Sequence, residues 1–137
     1  MISSKLRSEF RTTIAIGSSV GLTKYGTNEA TIFSTNSAFT GPFVINNGAL
    51  KLVGTIQDSI TTTVRVNNGG AFILSSSDRF GSHTDGVFAG ITLNVGGSLS
   101  NAAGIFNSLG PITLNGGRLG AANGANVNFE AWALKAG

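Results

Sequence analysis

The feature that most constrains this chain is a short motif that recurs at nearly constant spacing. Each copy has an apolar residue, any residue, a second apolar residue and an asparagine, then a glycine-containing turn and another apolar-rich segment. The asparagines are separated by 21, 27 and 21 residues, and they are Asn46, Asn67, Asn94 and Asn115. The glycines in the same phase are Gly48, Gly69, Gly96 and either Gly116 or Gly117. A period of this length is typical of one coil, or rung, of a solenoid.

The two prolines support the repeat independently. Pro42 and Pro111 each follow a glycine, and each lies four residues before one of the asparagines. Proline is tolerated at the first residue of a strand, so both positions fit the same strand start.

The residues around each asparagine predict a strand, a turn and a second strand. Val-Arg-Val at 64–66 and Ile-Thr-Leu at 91–93 alternate with period two, and Asn-Gly pairs accept the positive φ of tight turns. The same signal also fits β-hairpins in a sandwich or barrel. A common phase in every 21 to 27 residues favours a parallel β-solenoid with about three short strands per rung. We therefore predict an all-β solenoid over residues 22–137.

Residues 1–21 are expected to form an N-terminal cap or a disordered start. Ile2, Leu6 and Phe10 have helical spacing, and Ser4 is a candidate helix cap. Residues 12–22 contain too many Thr, Ser and Gly residues for the apolar core of a signal peptide, so the sequence favours a mature start.

Composition excludes several classes of protein. Charged residues make up 11% and hydrophobic residues 41%, which is unlike a disordered chain. The absence of cysteine excludes disulfides, cysteine-based zinc sites and thiol nucleophiles. No stretch of about 18 apolar residues is present, so we expect no membrane insertion by this segment. The nine basic residues are mostly scattered and not interleaved with aromatic residues, so no nucleic-acid partner is expected.

One region of the chain resembles a known family. Leu22-Thr23-Lys24-Tyr25-Gly26 is followed by an apolar segment, then by Phe39-Thr40-Gly41 and by Val44-Ile45-Asn46-Asn47-Gly48-Ala49-Leu50-Lys51-Leu52. This succession resembles the autotransporter-associated β-strand repeat over residues 22–54. Ala38 and Phe39 stand where the family usually has Thr and Tyr, and Glu29 interrupts its glycine-rich turn.

The resemblance implies a single-stranded, right-handed parallel β-helix in a passenger domain. It implies secretion or display at the outer surface of a bacterium, and it implies no catalytic residue.

Few residues are candidates for chemistry. Asp58, Asp78 and Arg79 fall 11 or 12 residues after an asparagine of the repeat, which fits a surface ion pair on adjacent rungs better than a metal or catalytic site. His83 lies in Gly81–Gly86, a segment that fits the six extra residues of the long rung and is the place to look for a local binding site. We expect no catalytic, cofactor-binding or metal-binding residue.

The functional expectation is a structural or adhesive solenoid segment without catalysis. The alternative is a carbohydrate-binding or polysaccharide-cleaving β-helix. An ice-binding solenoid needs a regular array of Thr-x-Thr, whereas Thr61-Thr62-Thr63 occurs once.

We expect the phenylalanines to fill the core. Candidate partners are a host surface or a glycan, and a second copy of the chain through the solenoid ends unless residues 1–21 cap them.

Overall fold

The described part of the chain folds as a parallel β-solenoid with ten short strands. The computed structural model describes residues 19–33, 40–54, 62–75, 90–102, 107, 109 and 111–121. The strands are β1 (Leu22–Lys24), β2 (Glu29–Ile32), β3 (Phe43–Ile45), β4 (Gly48–Leu52), β5 (Thr63–Val66), β6 (Gly70–Leu74), β7 (Gly90–Asn94), β8 (Ser98–Asn101), β9 (Ile112–Asn115) and β10 (Arg118–Ala121). No helix occurs in these described ranges, so none of them holds a helix that is able to cross a membrane.

The strands form two five-stranded sheets. The first has the order β1-β3-β5-β7-β9 and the second has the order β10-β8-β6-β4-β2, and every pairing between these strands is parallel. Each rung therefore contributes one strand to each sheet. The two strands that flank each asparagine lie in different sheets, so the expected solenoid is confirmed and the hairpin alternative is wrong. The third strand expected in each rung falls on segments that lie largely outside the described residues.

The strand register follows the repeat found in the sequence. Phe43 lies opposite Leu22 and Val64, and Ile91 lies opposite Val64 and Ile112. These pairs are separated by 21, 21, 27 and 21 residues along the chain. The six extra residues of the long rung therefore do not disturb the pairing of the first sheet.

Alternation along each strand fills the space between the sheets. In β5 and β6, Val64, Val66, Phe72 and Leu74 are buried, whereas Arg65 points outward and is exposed. The buried positions repeat in each rung, so like side chains stack along the axis. The core consists of Ala30, Ile32, Phe43, Ile45, Leu50, Leu52, Val64, Val66, Phe72, Leu74, Ile91, Leu93, Leu99 and Ile112.

Two of the phenylalanines lie inside the solenoid as expected. Phe43 in the first sheet and Phe72 in the second are fully buried, and their ring centroids are 6.2 Å apart. Phe33 differs, because it directly follows Ile32, whose side chain faces the core, so alternation turns Phe33 to the outer face, where it is 41% exposed. The other phenylalanines and Trp132 lie outside the described residues, as do residues 1–18 of the expected N-terminal cap.

Candidate functional site: the asparagine corner and the outer face of the first sheet

Each rung bends sharply where its first strand passes into its second, and we call this bend the asparagine corner. In the third and fourth rungs, the amides of Gly70 and Gly97 donate to the carbonyls of Asn67 and Asn94, at 2.9 and 2.8 Å. The third residue of each turn has a positive φ, which is 78° at Gly69 and 75° at Gly96. This combination is typical of a type II turn, in which glycine adopts that conformation without a steric penalty.

The four asparagines of the repeat form one continuous column of side-chain amides. The Nδ2 atoms of Asn67, Asn94 and Asn115 donate to the Oδ1 atoms of Asn46, Asn67 and Asn94, at 2.7, 2.7 and 3.0 Å respectively. Each amide donates towards the preceding rung, so Asn67 and Asn94 both donate and accept. The structure thus brings the predicted residues together in an asparagine ladder.

The glycines of the corner share one backbone conformation. Gly48, Gly69, Gly96 and Gly116 all have positive φ, between 68° and 78°. The amides of Gly48 and Gly69 donate to the carbonyls of Gly69 and Gly96 in the following rung, at 3.0 and 3.2 Å. These backbone bonds run in the direction opposite to the side-chain ladder, so neighbouring corners are linked from both sides.

The fifth corner shows which of Gly116 and Gly117 is the turn glycine, a choice that the sequence left open. Gly116 has the positive φ of 75°, whereas Gly117 donates its amide to Leu93 O at 3.2 Å. Arg118 lies opposite Ser98, so this corner is one residue shorter than the fourth.

The first corner is built differently, and its key residue, Lys24, was not predicted as a site residue. Tyr25 occupies the ladder phase there, because Lys24 lies opposite Ile45, and Tyr25 is 71% exposed. Lys24 Nζ instead donates to the carbonyls of Tyr25, Gly26 and Asn47, at 2.6, 2.7 and 3.2 Å. Partial burial lowers the pKa of Lys24. The ammonium therefore joins the first corner to the second, and the only signal for it in the sequence is a lysine at a core-facing strand position.

A buried polar pair near the end of the second sheet was also missed. Asn101 continues the column of Ile32, Leu52 and Leu74, and its Oδ1 accepts from Asn107 Nδ2 at 3.3 Å. Asn101 Nδ2 has no hydrogen-bond partner among the described residues although the residue is buried. The inward position of Asn101 in the alternating segment Ser98–Asn101 was the available signal.

The outer face of the first sheet has a shallow polar groove of about 220 Å³. Gly90 has no side chain, so a notch is left between Thr63 and Pro111 in the neighbouring rungs. Arg65 and Thr92, which lie opposite each other, form one wall together with Thr113. The groove presents hydroxyls and one guanidinium, which are groups that bind sugar hydroxyls or a carboxylate.

The structure does not describe the other residues that the sequence offered as candidates for an ion pair or a binding loop. Asp58, Asp78, Arg79 and the loop around His83 lie outside the described residues. Within the described part of the chain, no three His, Cys, Asp or Glu residues are grouped as metal ligands.

Comparison with known proteins returned no relative. No protein-family model, no curated protein and no solved structure matches this chain. The fold and the asparagine corner therefore rest on this chain's own sequence and structure, and the chain is a β-solenoid by its architecture.

Proposed function

We propose that this chain is a structural segment of a surface-displayed bacterial protein of the autotransporter passenger type. In this role the solenoid extends a stiff stalk and presents its outer faces for adhesion or assembly, without catalysing a reaction. The proposal places the segment outside the cell or on the bacterial outer surface.

The observation that carries the proposal is the unbroken asparagine ladder from Asn46 to Asn115. It runs parallel to two sheets in which each strand between the edges is hydrogen-bonded on both sides. Such a stack resists bending and local opening because each rung is held by its neighbours. The resemblance of residues 22–54 to the passenger repeat supports the same role.

Display at the surface is testable on intact cells of the source organism. An antibody raised against the purified chain is expected to label unpermeabilised cells, and brief external protease treatment is expected to remove the label. A cytoplasmic protein serves as the control for lysis. Antigen found only in the cytoplasmic fraction contradicts the proposed location.

The absence of catalysis has its own test. Purified chain is incubated with a panel of neutral and acidic polysaccharides, and reducing ends and unsaturated products are measured. We expect no product above the level of a heat-denatured control. Hydrolysis or eliminative cleavage by the chain contradicts the proposal.

The groove at Arg65 favours carbohydrate binding as a second candidate function. A glycan array probed with the chain would then show binding that Arg65→Ala abolishes, whereas Arg118→Ala, at a distant exposed arginine on the second sheet, retains it. Binding that is equal in both variants, or no binding, removes this candidate.

A further inference from the structure

The first and last described rungs carry opposite charges at equivalent positions of the second sheet. Glu29 begins β2 at one edge of the second sheet, and Arg118 begins β10 at the other edge. Between them, in the same register, lie Ala49, Ala71 and Ser98. Both charged residues are exposed. A single outward column therefore starts with a carboxylate and ends with a guanidinium.

The core is partly exposed at the fifth corner, which is the last corner that the structure describes. Leu114 occupies the inward column of Ile45, Val66 and Leu93, which are fully buried, yet Leu114 is 47% exposed. Beside it, Asn115 donates to the ladder, and its Oδ1 receives no hydrogen bond from any described residue. This end presents an apolar side chain and a hydrogen-bond acceptor.

A recess lies at the first described corner. A cavity of about 340 Å³ is lined by Thr23–Gly26 and Asn28–Ala30, where the first corner has no preceding rung among the described residues. Among the described strands, β1 and β2 each have a pairing partner on one side only. Such edges are templates for adding another strand.

From these features we propose that copies of this chain stack head to tail, with β9 and β10 of one copy pairing in parallel with β1 and β2 of the next. Continuing the observed register places Arg118 opposite Glu29, and Leu114 over the aliphatic stem of Lys24. The charge pair fixes the register, because a shift by one residue moves every side chain to the opposite face. The contact uses different surfaces of the two copies, so it repeats into open rods. This inference stands independently of the location and the role proposed above.

Charge reversal at each end provides the test. The full chain is studied by sedimentation velocity over a concentration series, and by electron microscopy for rods. Glu29→Arg and Arg118→Glu each place like charges at the joint, and we expect either variant to weaken association by roughly 3- to 10-fold. Arg65→Glu makes the same charge change on an exposed residue in the middle of the other sheet, and we expect it to associate like the unmodified chain.

An equimolar mixture of the two end variants separates the joint from any folding defect. In the mixture, the arginine introduced at position 29 of one variant meets the glutamate introduced at position 118 of the other. The remaining joint pairs Glu29 with Arg118, so association is expected to return to the unmodified level. Circular dichroism and thermal melting verify that each variant is folded. A monomeric unmodified chain at all concentrations overturns the proposal. So does a mixture that stays dissociated, or an equal loss of association in Arg65→Glu.

Discussion

At the scale of single residues, the asparagine corner depends on what each amide does in the ladder. Asn67 and Asn94 each donate one side-chain hydrogen bond and accept another, whereas Asn115 donates one, accepts none from a described residue and is exposed. Removing an interior amide leaves a donor on one side and an acceptor on the other without a partner. The penalty for an unpaired and partly buried group is larger than the net gain from one hydrogen bond.

Replacement of Asn67 or Asn94 by alanine is therefore expected to lower the free energy of unfolding by about 1–3 kcal/mol, and replacement of Asn115 by less. Asn68→Ala is the matched control for Asn67→Ala, because the side chain of Asn68 is exposed and outside the ladder. Urea denaturation followed by circular dichroism measures all four variants. Equal losses for Asn67→Ala and Asn68→Ala would mean that the ladder does not stabilise the corner.

At the scale of the strands, stability comes from alternation between an inward and an outward face. Phe72 and Ile73 are neighbours in β6, yet Phe72 is fully buried and Ile73 is partly exposed on the outer face. Phe72 also contacts Phe43 across the core, so it holds the two sheets together. The position of a side chain on its strand therefore decides its contribution more than its hydrophobicity does.

We expect Phe72→Ala to destabilise the chain by about 3–5 kcal/mol, since it removes buried surface and leaves a cavity between the sheets. Ile73→Ala removes a large apolar side chain one position away and is expected to cost clearly less. Thermal and urea unfolding of both variants give the comparison. A cost at Ile73 as large as that at Phe72 would indicate that the outer face of the second sheet is covered.

At the scale of the whole molecule, the solenoid is a one-dimensional stack in which each rung contacts its neighbours. Deleting one complete rung is therefore expected to bring two equivalent rungs together without changing the fold. Removal of residues 43–63 joins Pro42 to Val64. This places Val64 opposite Leu22 and Ala71 opposite Glu29, in the columns that they already occupy.

The matched control is removal of residues 43–62, which shifts the phase by one residue. Thr63 and Arg65 then fall at core-facing positions of β5, and Val64 points outward. We expect the 21-residue deletion to keep a cooperative β-sheet unfolding transition, whereas the 20-residue deletion loses stability or cooperativity because a charged residue enters the core. Equal behaviour of the two variants would contradict the repeat as the unit of the fold.

The sequence by itself determined the length of the rung, the alternation of inward and outward residues and the common phase of Asn46, Asn67, Asn94 and Asn115. These properties are readable because the fold repeats along the chain, so a period in sequence becomes a stack in space.

Other properties depend on atoms that only packing brings together. The direction of donation along the ladder, the three carbonyls around Lys24 Nζ and the choice of Gly116 over Gly117 arise between rungs. The exposure of Leu114 in an otherwise buried column likewise follows from its place at an edge. Tertiary structure decided these features because hydrogen-bond geometry and edge exposure depend on which rung lies next to which, and the composition of a single rung does not contain that information.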